Sequence, residues 1–233
     1  MDGQMNPEMM SIREMCKAAV GGAMELMVKP LVVVSRLHRR LDPGFRFYSY
    51  GALLAPIPGF WGRELRGAFY RQTLRRCGQG LKLGYGSYFA SPDTEVGDNL
   101  TTGSYCVIGP CTIGCDVMLA SHISVIDGLH QHGYADLDAP MTEQLGESLH
   151  VEIGDKCWIG EGARVAASVG AKAIVGLGAV VTRPVQPGAM VMGNPARVIG
   201  HRAQPLSRPL AARPTPDAVP AAAGPTSRTH DKD

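Results

Sequence analysis

Two histidines, His130 and His132, stand two positions apart in the segment Gly-Leu-His-Gln-His-Gly (residues 128–133), inside a stretch that interrupts an otherwise regular repeat. Imidazole titrates closer to neutral pH than any other unperturbed side chain, so a histidine lifted out of a regular scaffold is a natural general base. Asp127, Asp136 and Glu143 are near enough in sequence to orient such a ring by accepting its second N–H. His122 follows a repeat corner and His150 opens a repeat run, so both read as structural. Cys111 and Cys115 lack matching ligands for a metal. No metal site is expected. Cys16, Cys77, Cys106, Cys111, Cys115 and Cys157 are scattered without a CxxC pair, and read as reduced thiols of a cytosolic protein.

The scaffold that must position the histidines is periodic. Over 94–126 and 150–182 an aliphatic residue, usually followed by glycine, recurs as Val96-Gly97, Ile108-Gly109, Ile113-Gly114, Ile153-Gly154, Ile159-Gly160, Val169-Gly170 and Val175-Gly176. Thr102, Leu119, Val125, Val165 and Val181 fill the same phase, with one step shortened before Ile113 and another before Val169. Six residues fit neither the 3.6 period of a helix nor the alternation of a flat strand. They fit one face of a triangular coil, with the aliphatic side chain inward. Glycine is expected at the corner, where it adopts positive φ without steric cost; Ala120 and Ala166 depart mildly from this. About eighteen residues close a coil, giving about five stacked coils from near Leu83. The usual handedness of parallel crossovers predicts a right-handed winding.

Upstream, Ile12, Met15, Ala19, Met24, Met27, Leu31, Val34 and Leu37 follow helical spacing, and Pro30 is expected to break or kink that helix. Arg36, His38, Arg39 and Arg40 cluster at its end. Two readings stand: a helix packed on the domain or on another subunit, or one resting on an anionic membrane surface. Residues 42–60 read as a turn-rich linker, and 61–77 as a helix with a stripe of Leu65, Ala68, Phe69 and Thr73. Its arginines 63, 66, 71, 75 and 76 read as a solvated face, with contact to a membrane surface as the alternative, and Gly78 and Gly80 as its C-terminal stop. The apolar run 18–34 is interrupted by Glu25, Lys29 and Pro30, too often for a spanning helix, and no secretory signal is evident. A formal charge of +2 over 233 residues suggests no nucleic-acid partner. Beyond His201 the composition turns to Pro, Ala, Ser and Thr, which reads as a disordered tail.

The repeat, the loop ending in His132-Gly133, the segment Cys157-Trp158-Ile159-Gly160 and the terminal Gly193-Asn194-Pro195-Ala196-Arg197 together resemble the hexapeptide-repeat acyltransferases. Within them the chain is most similar to the maltose and galactoside O-acetyltransferase-like branch, and to the colanic acid acetyltransferases of polysaccharide gene clusters. The resemblance covers roughly residues 59–200. It implies a mainly β fold, a left-handed parallel β-helix, against the handedness rule. It also implies a homotrimer with active sites between subunits, and acetyl transfer from acetyl-CoA to a sugar hydroxyl. The domains then run 1–80 (helices and linker), 81–200 (β-helix) and 201–233 (tail), in a cytoplasmic protein that the membrane reading would set against the inner face of the membrane.

By that resemblance His132 is the general base, since Gly133 and the downstream Pro140-Met141-Thr142-Glu143-Gln144 stand in the matching places. His130 matches no role in the family and reads as a neighbour that packs or binds acceptor. Trp158, Gly160, Glu161, Leu177 and Gly178 match the donor groove, with leucine at 177 where many relatives carry alanine. Thr182, Arg183 and Arg197 match the end that meets the adenosine phosphates, and Gly160 also matches the backbone donor to the oxyanion. On the acceptor side Gly103-Ser104-Tyr105 stands where the sugar acetyltransferases carry asparagine and aspartate, so the resemblance does not extend to a simple-sugar acceptor. N-acylation of an amino sugar, a metal hydratase on the same coil and a non-catalytic scaffold are the competing readings.

Overall fold

The inward residues named by the repeat form one continuous hydrophobic column. In the computed structural model, which describes residues 12–42, 46–129 and 132–203, Val96, Ile108, Ile113, Leu119, Val125, Ile153, Ile159, Val165, Val169, Val175 and Val181 are buried, with Thr102 among them. Each such aliphatic side chain contributes about 1.5–3 kcal/mol relative to exposure. The strands around the column are short: β1 (Arg76–Cys77), β2 (Tyr88–Phe89), β3 (Glu95–Val96), β4 (Thr101–Thr102), β5 (Val107–Ile108), β6 (Cys111–Ile113), β7 (Met118–Leu119), β8 (Ser124–Val125), β9 (Val151–Ile153), β10 (Trp158–Ile159), β11 (Arg164–Val165), β12 (Ile174–Val175), β13 (Val180–Val181), β14 (Ala189–Met192) and β15 (Arg197–His201).

They stack into three parallel sheets, ordered β1-β3-β6-β9, β14-β12-β10-β7-β4 and β13-β11-β8-β5-β2, with β15 added antiparallel to β14. Every irregularity of the repeat falls at the corner between the third sheet and the first. The shortened steps Ile108 to Ile113 and Val165 to Val169 lie there, and so does the long excursion between Val125 and Ile153. Two corners are regular and one is variable.

The glycines do a different job from the one expected. Positive φ falls on the third residue after the inward one: Asn99, Tyr105, Asp116, His122, Lys156 and Lys172 lie between 57° and 63°, and Gly162 and Gly178 at 70° and 64°. The glycine directly after the inward residue is required by contact with the next coil. A Cβ on Gly154 would stand 2.7 Å from Ala171 Cα and 2.5 Å from its nitrogen, both backbone atoms. A Cβ on Gly162 would meet nothing. Gly154→Ala is therefore expected to cost about 2 kcal/mol through forced separation of two coils, and Gly162→Ala about 1 kcal/mol from left-handed backbone alone. Thermal unfolding of the two variants tests that order.

Three helices cap the first coil: α1 (Ile12–Leu41), α2 (Tyr48–Leu54) and α3 (Gly59–Thr73). Pro30 does not interrupt α1. Pro30 is exposed, so the carbonyl its ring deprives of a partner can face water. The expected linker holds α2. The third helix starts earlier than predicted and stops at Leu74, whose ψ of 157° turns the chain into β1, so Gly78 and Gly80 belong to the first coil and not to a helix cap.

Arg66 is the largest departure. It is 1% exposed, not solvated. Its Nη1 donates to the carbonyls of Leu54 (3.1 Å), Ala55 (3.2 Å) and Ile57 (2.8 Å), and its Nε donates to Leu83 O (3.1 Å). One guanidinium thus joins α3, the end of α2 and the first coil. Around it Phe47, Phe69, Tyr70 and Phe89 pack with ring centroids 4.8–6.2 Å apart, and Phe89 N–H donates to the Tyr70 hydroxyl. Residues 204–233, where most of the tail was expected, lie outside the described residues; β15 carries the described chain to His201.

Candidate active site

The loop between β8 and β9 leaves the coil through a tied neck. Leu149 N–H donates to Asp127 O (2.7 Å), and Ser148 Oγ donates to the Asp127 carboxylate (2.7 Å). Farther out, His132 bridges Leu145 in antiparallel fashion, and Gly133 N–H donates to Gln144 O (3.1 Å). The backbone of His132 is thereby held on a small turn while its side chain is exposed. His130 lies outside the described residues.

Gln144 organises this turn, a role the sequence did not reveal. Its amide nitrogen donates to Asp136 O (2.8 Å) and Ala139 O (3.0 Å), and its amide oxygen accepts from Asp136 N–H (3.1 Å). The Asp136 carboxylate accepts the N–H groups of Asp138 and Ala139 (3.0 and 3.3 Å), which shapes a turn. Asp127 and Asp136 thus both support the loop. The only advance signal for Gln144 was its place in the Pro140–Gln144 segment.

On the coil, Trp158 lies between Met118 and Ile174 in the outward row of the second sheet and is 51% exposed. Gly160 follows it, but its N–H donates to Val175 O at 2.7 Å. The oxyanion donor expected there is already engaged in the coil ladder. Glu161 turns back to accept Ser121 N–H (3.1 Å), and its carbonyl accepts Gly178 N–H (2.7 Å). Leu177 is 72% exposed, and the corner glycines 162 and 178 have open space where a side chain would be. Thr182 is half-buried and Arg183 exposed, just beyond β13. Arg197 opens β15 opposite Met192, with its Nη1 donating to Ala196 O (3.0 Å). A cleft lined by His38, Asp42, Arg46, Ser49, Tyr50 and Leu53 contains none of the expected site residues.

Two coil features escaped the sequence reading. Arg164 donates to His122 O (2.7 Å) and Gly162 O (3.0 Å), bracing the corner between the second and third sheets. Beneath it Tyr85, Tyr105 and His122 form a ring ladder, with centroids 5.5 and 5.3 Å apart. His122 is structural there, as expected, and His150 hydrogen-bonds Thr112 Oγ1 at 2.8 Å. Among the described residues no group of three or more His, Cys, Asp or Glu is placed to hold a metal ion. Cys77, Cys106, Cys111, Cys115 and Cys157 are free thiols, and burial pushes the Cys111 thiol up to about 12, too high for a nucleophile at neutral pH.

This coil stack is the left-handed parallel β-helix of the hexapeptide-repeat acetyltransferases, and its winding overturns the right-handed expectation. The chain is similar to the crystal structure of a maltose O-acetyltransferase from Clostridium difficile 630, at 25% identity and TM-score 0.55, over 64% of this chain and 80% of that one. It shares its fold with a hexapeptide-repeat acetyltransferase from Vibrio cholerae O1 biovar eltor solved with acetyl-CoA, at 18% identity and TM-score 0.53, over 82% and 90% of the two chains. A candidate acetyltransferase of Schizosaccharomyces pombe is 31% identical over 90 residues, which is 38% of this chain. The chain spans 42% of the length of that relative. No family model matches.

Proposed function

We propose that the protein transfers an acetyl group from acetyl-CoA to a sugar hydroxyl of a polysaccharide or of its lipid-linked precursor, with His132 as the general base. The observation that carries this reading is the tied loop, which holds an exposed histidine on a hydrogen-bonded turn outside the coil. A hydroxyl is a weak nucleophile at neutral pH. The His132 imidazole takes the hydroxyl proton as the oxygen attacks the thioester carbonyl, the C–S bond then breaks, and the imidazolium returns the proton to the leaving CoA sulfur.

Trp158, Gly160, Glu161, Leu177 and Gly178 line the path for the pantetheine arm, where small corners leave room for it. Thr182, Arg183 and Arg197 meet the adenosine phosphates, and the arginines suit phosphate through their forked donors. His130 stands as an acceptor contact. Leu137 and Leu145, on the loop, are 95% and 97% exposed. Apolar side chains so open on a hydrogen-bonded turn favour a neighbouring subunit over water as their cover, in keeping with a homotrimer whose sites lie between chains. A reaction fed by acetyl-CoA belongs in the cytoplasm, where that thioester is made.

Acetyl linkage in the product separates the hydroxyl acceptor from its amino-sugar alternative. With acetyl-CoA and matched acceptors bearing a free hydroxyl or a free amine, the expected product is an ester that neutral hydroxylamine cleaves. A hydroxylamine-stable amide as the sole product would replace O-acetylation by N-acetylation.

A further inference from the structure

Helix α1 has two apolar faces, and the fold covers one of them. Met24, Val28, Val32 and Ser35 are buried on the face packed against α3, where Glu25 also pairs with Arg71 at 2.9 Å. On the other face Leu26, Met27, Val33, Val34, Leu37 and Leu41 are 54–73% exposed. Leu26, Pro30, Val33, Leu37 and Leu41 follow one another at three- and four-residue steps, so they form a continuous stripe, which Met27 and Val34 widen. By helical geometry the stripe is centred opposite the buried face. Lys29 and Arg40 run along one edge of it, with Arg36 between them donating from Nη2 to Gln72 O at 2.6 Å.

No acidic residue occurs between positions 26 and 41. Glu25 is turned to Arg71, and Asp42 to His38 at 3.3 Å. The exposed surface is therefore aliphatic with a purely basic border. No described helix is long and apolar enough to cross a membrane.

We propose that this face of α1 docks flat on an anionic lipid bilayer, with the aliphatic stripe at the acyl boundary and Lys29 and Arg40 against the phosphates of the head groups. The one-sided basic edge favours lipid over a second copy of the chain, which would set like charges against each other wherever the edges met. The docking stands independently of the acetyl-transfer reading, because vesicle binding is measured without substrate.

Flotation of the full chain with phosphatidylcholine vesicles, with and without phosphatidylglycerol, tests it. Binding is expected to be at least about ten-fold stronger to the anionic vesicles and to weaken with salt. Val33→Glu/Leu37→Glu should abolish it. Lys29→Gln/Arg40→Gln, which changes only exposed side chains and so keeps the fold, should weaken it by roughly ten-fold or more. Equal binding to both vesicle types, or none to either, overturns the proposal. So does an oligomer that Val33→Glu/Leu37→Glu dissociates in sedimentation velocity while vesicle binding persists, since the face would then be a subunit contact.

Discussion

Arg66→Ala is expected to destabilise the protein by about 3–5 kcal/mol, among the larger effects a single substitution produces. Two costs add. The side chain is 1% exposed, so its removal leaves a void in a packed region. The carbonyls of Leu54, Ala55, Ile57 and Leu83 also lose a charged donor in one step. The Leu54 and Ala55 carbonyls keep second partners in the Ile57 and Gly86 N–H groups, which holds the cost below the sum of four lost bonds. At roughly 2–4 °C per kcal/mol for a domain of this size, the midpoint of thermal unfolding should fall by about 10 °C. Arg66→Lys should recover less than half of the loss. It keeps the charge, but a single ammonium cannot reproduce a fork that reaches Leu83 from Nε and three carbonyls from Nη1. A change within about 0.5 kcal/mol for Arg66→Ala would mean that the residue behaves as surface, and that the helices are held to the first coil by the aromatic cluster alone.

Arg66 also marks the limit of what the chain displays. Helical periodicity sorts charges outward by default, and nothing in the spacing of the five arginines distinguishes the one that turns inward. Its burial depends on carbonyls presented by the end of α2 and by Leu83, which only tertiary packing brings together. Pro30 is similar: the sequence announces a break, but the consequence depends on whether the ring faces solvent.

The coil was far more legible, because a six-residue repeat states its own geometry. Val96, Ile108, Ile113, Leu119, Val125, Ile153, Ile159 and Val165 are all inward as read. Within that success the glycines were misassigned. The left-handed corner lies two residues further on, where Asn99, Asp116 and even Tyr105 accept it, and the glycine after the inward residue answers to the neighbouring coil. That contact is invisible in one coil's sequence. The loop was legible as an interruption, and its histidine as a candidate. Its internal order was not, since Gln144 acts through an amide that reaches across the turn to Asp136 and Ala139.

His132→Ala carries the largest expected effect on activity. Removing a positioned general base typically lowers the rate by about 10²–10⁴-fold. The side chain is exposed and its backbone alone makes the bridge to Leu145, so alanine should leave the loop, the thermal midpoint and CoA affinity unchanged. That separation of rate from binding distinguishes a base from a residue that merely shapes the groove. The most direct measurement is acceptor-dependent release of free CoA thiol from acetyl-CoA, with CoA affinity determined on the same preparations of the parent protein and His132→Ala. Thiol release by the parent protein, a loss of at least about a hundred-fold in the variant, and equal CoA affinity are expected. Undiminished thiol release by His132→Ala, or a parent protein that binds no CoA, would contradict the proposed function.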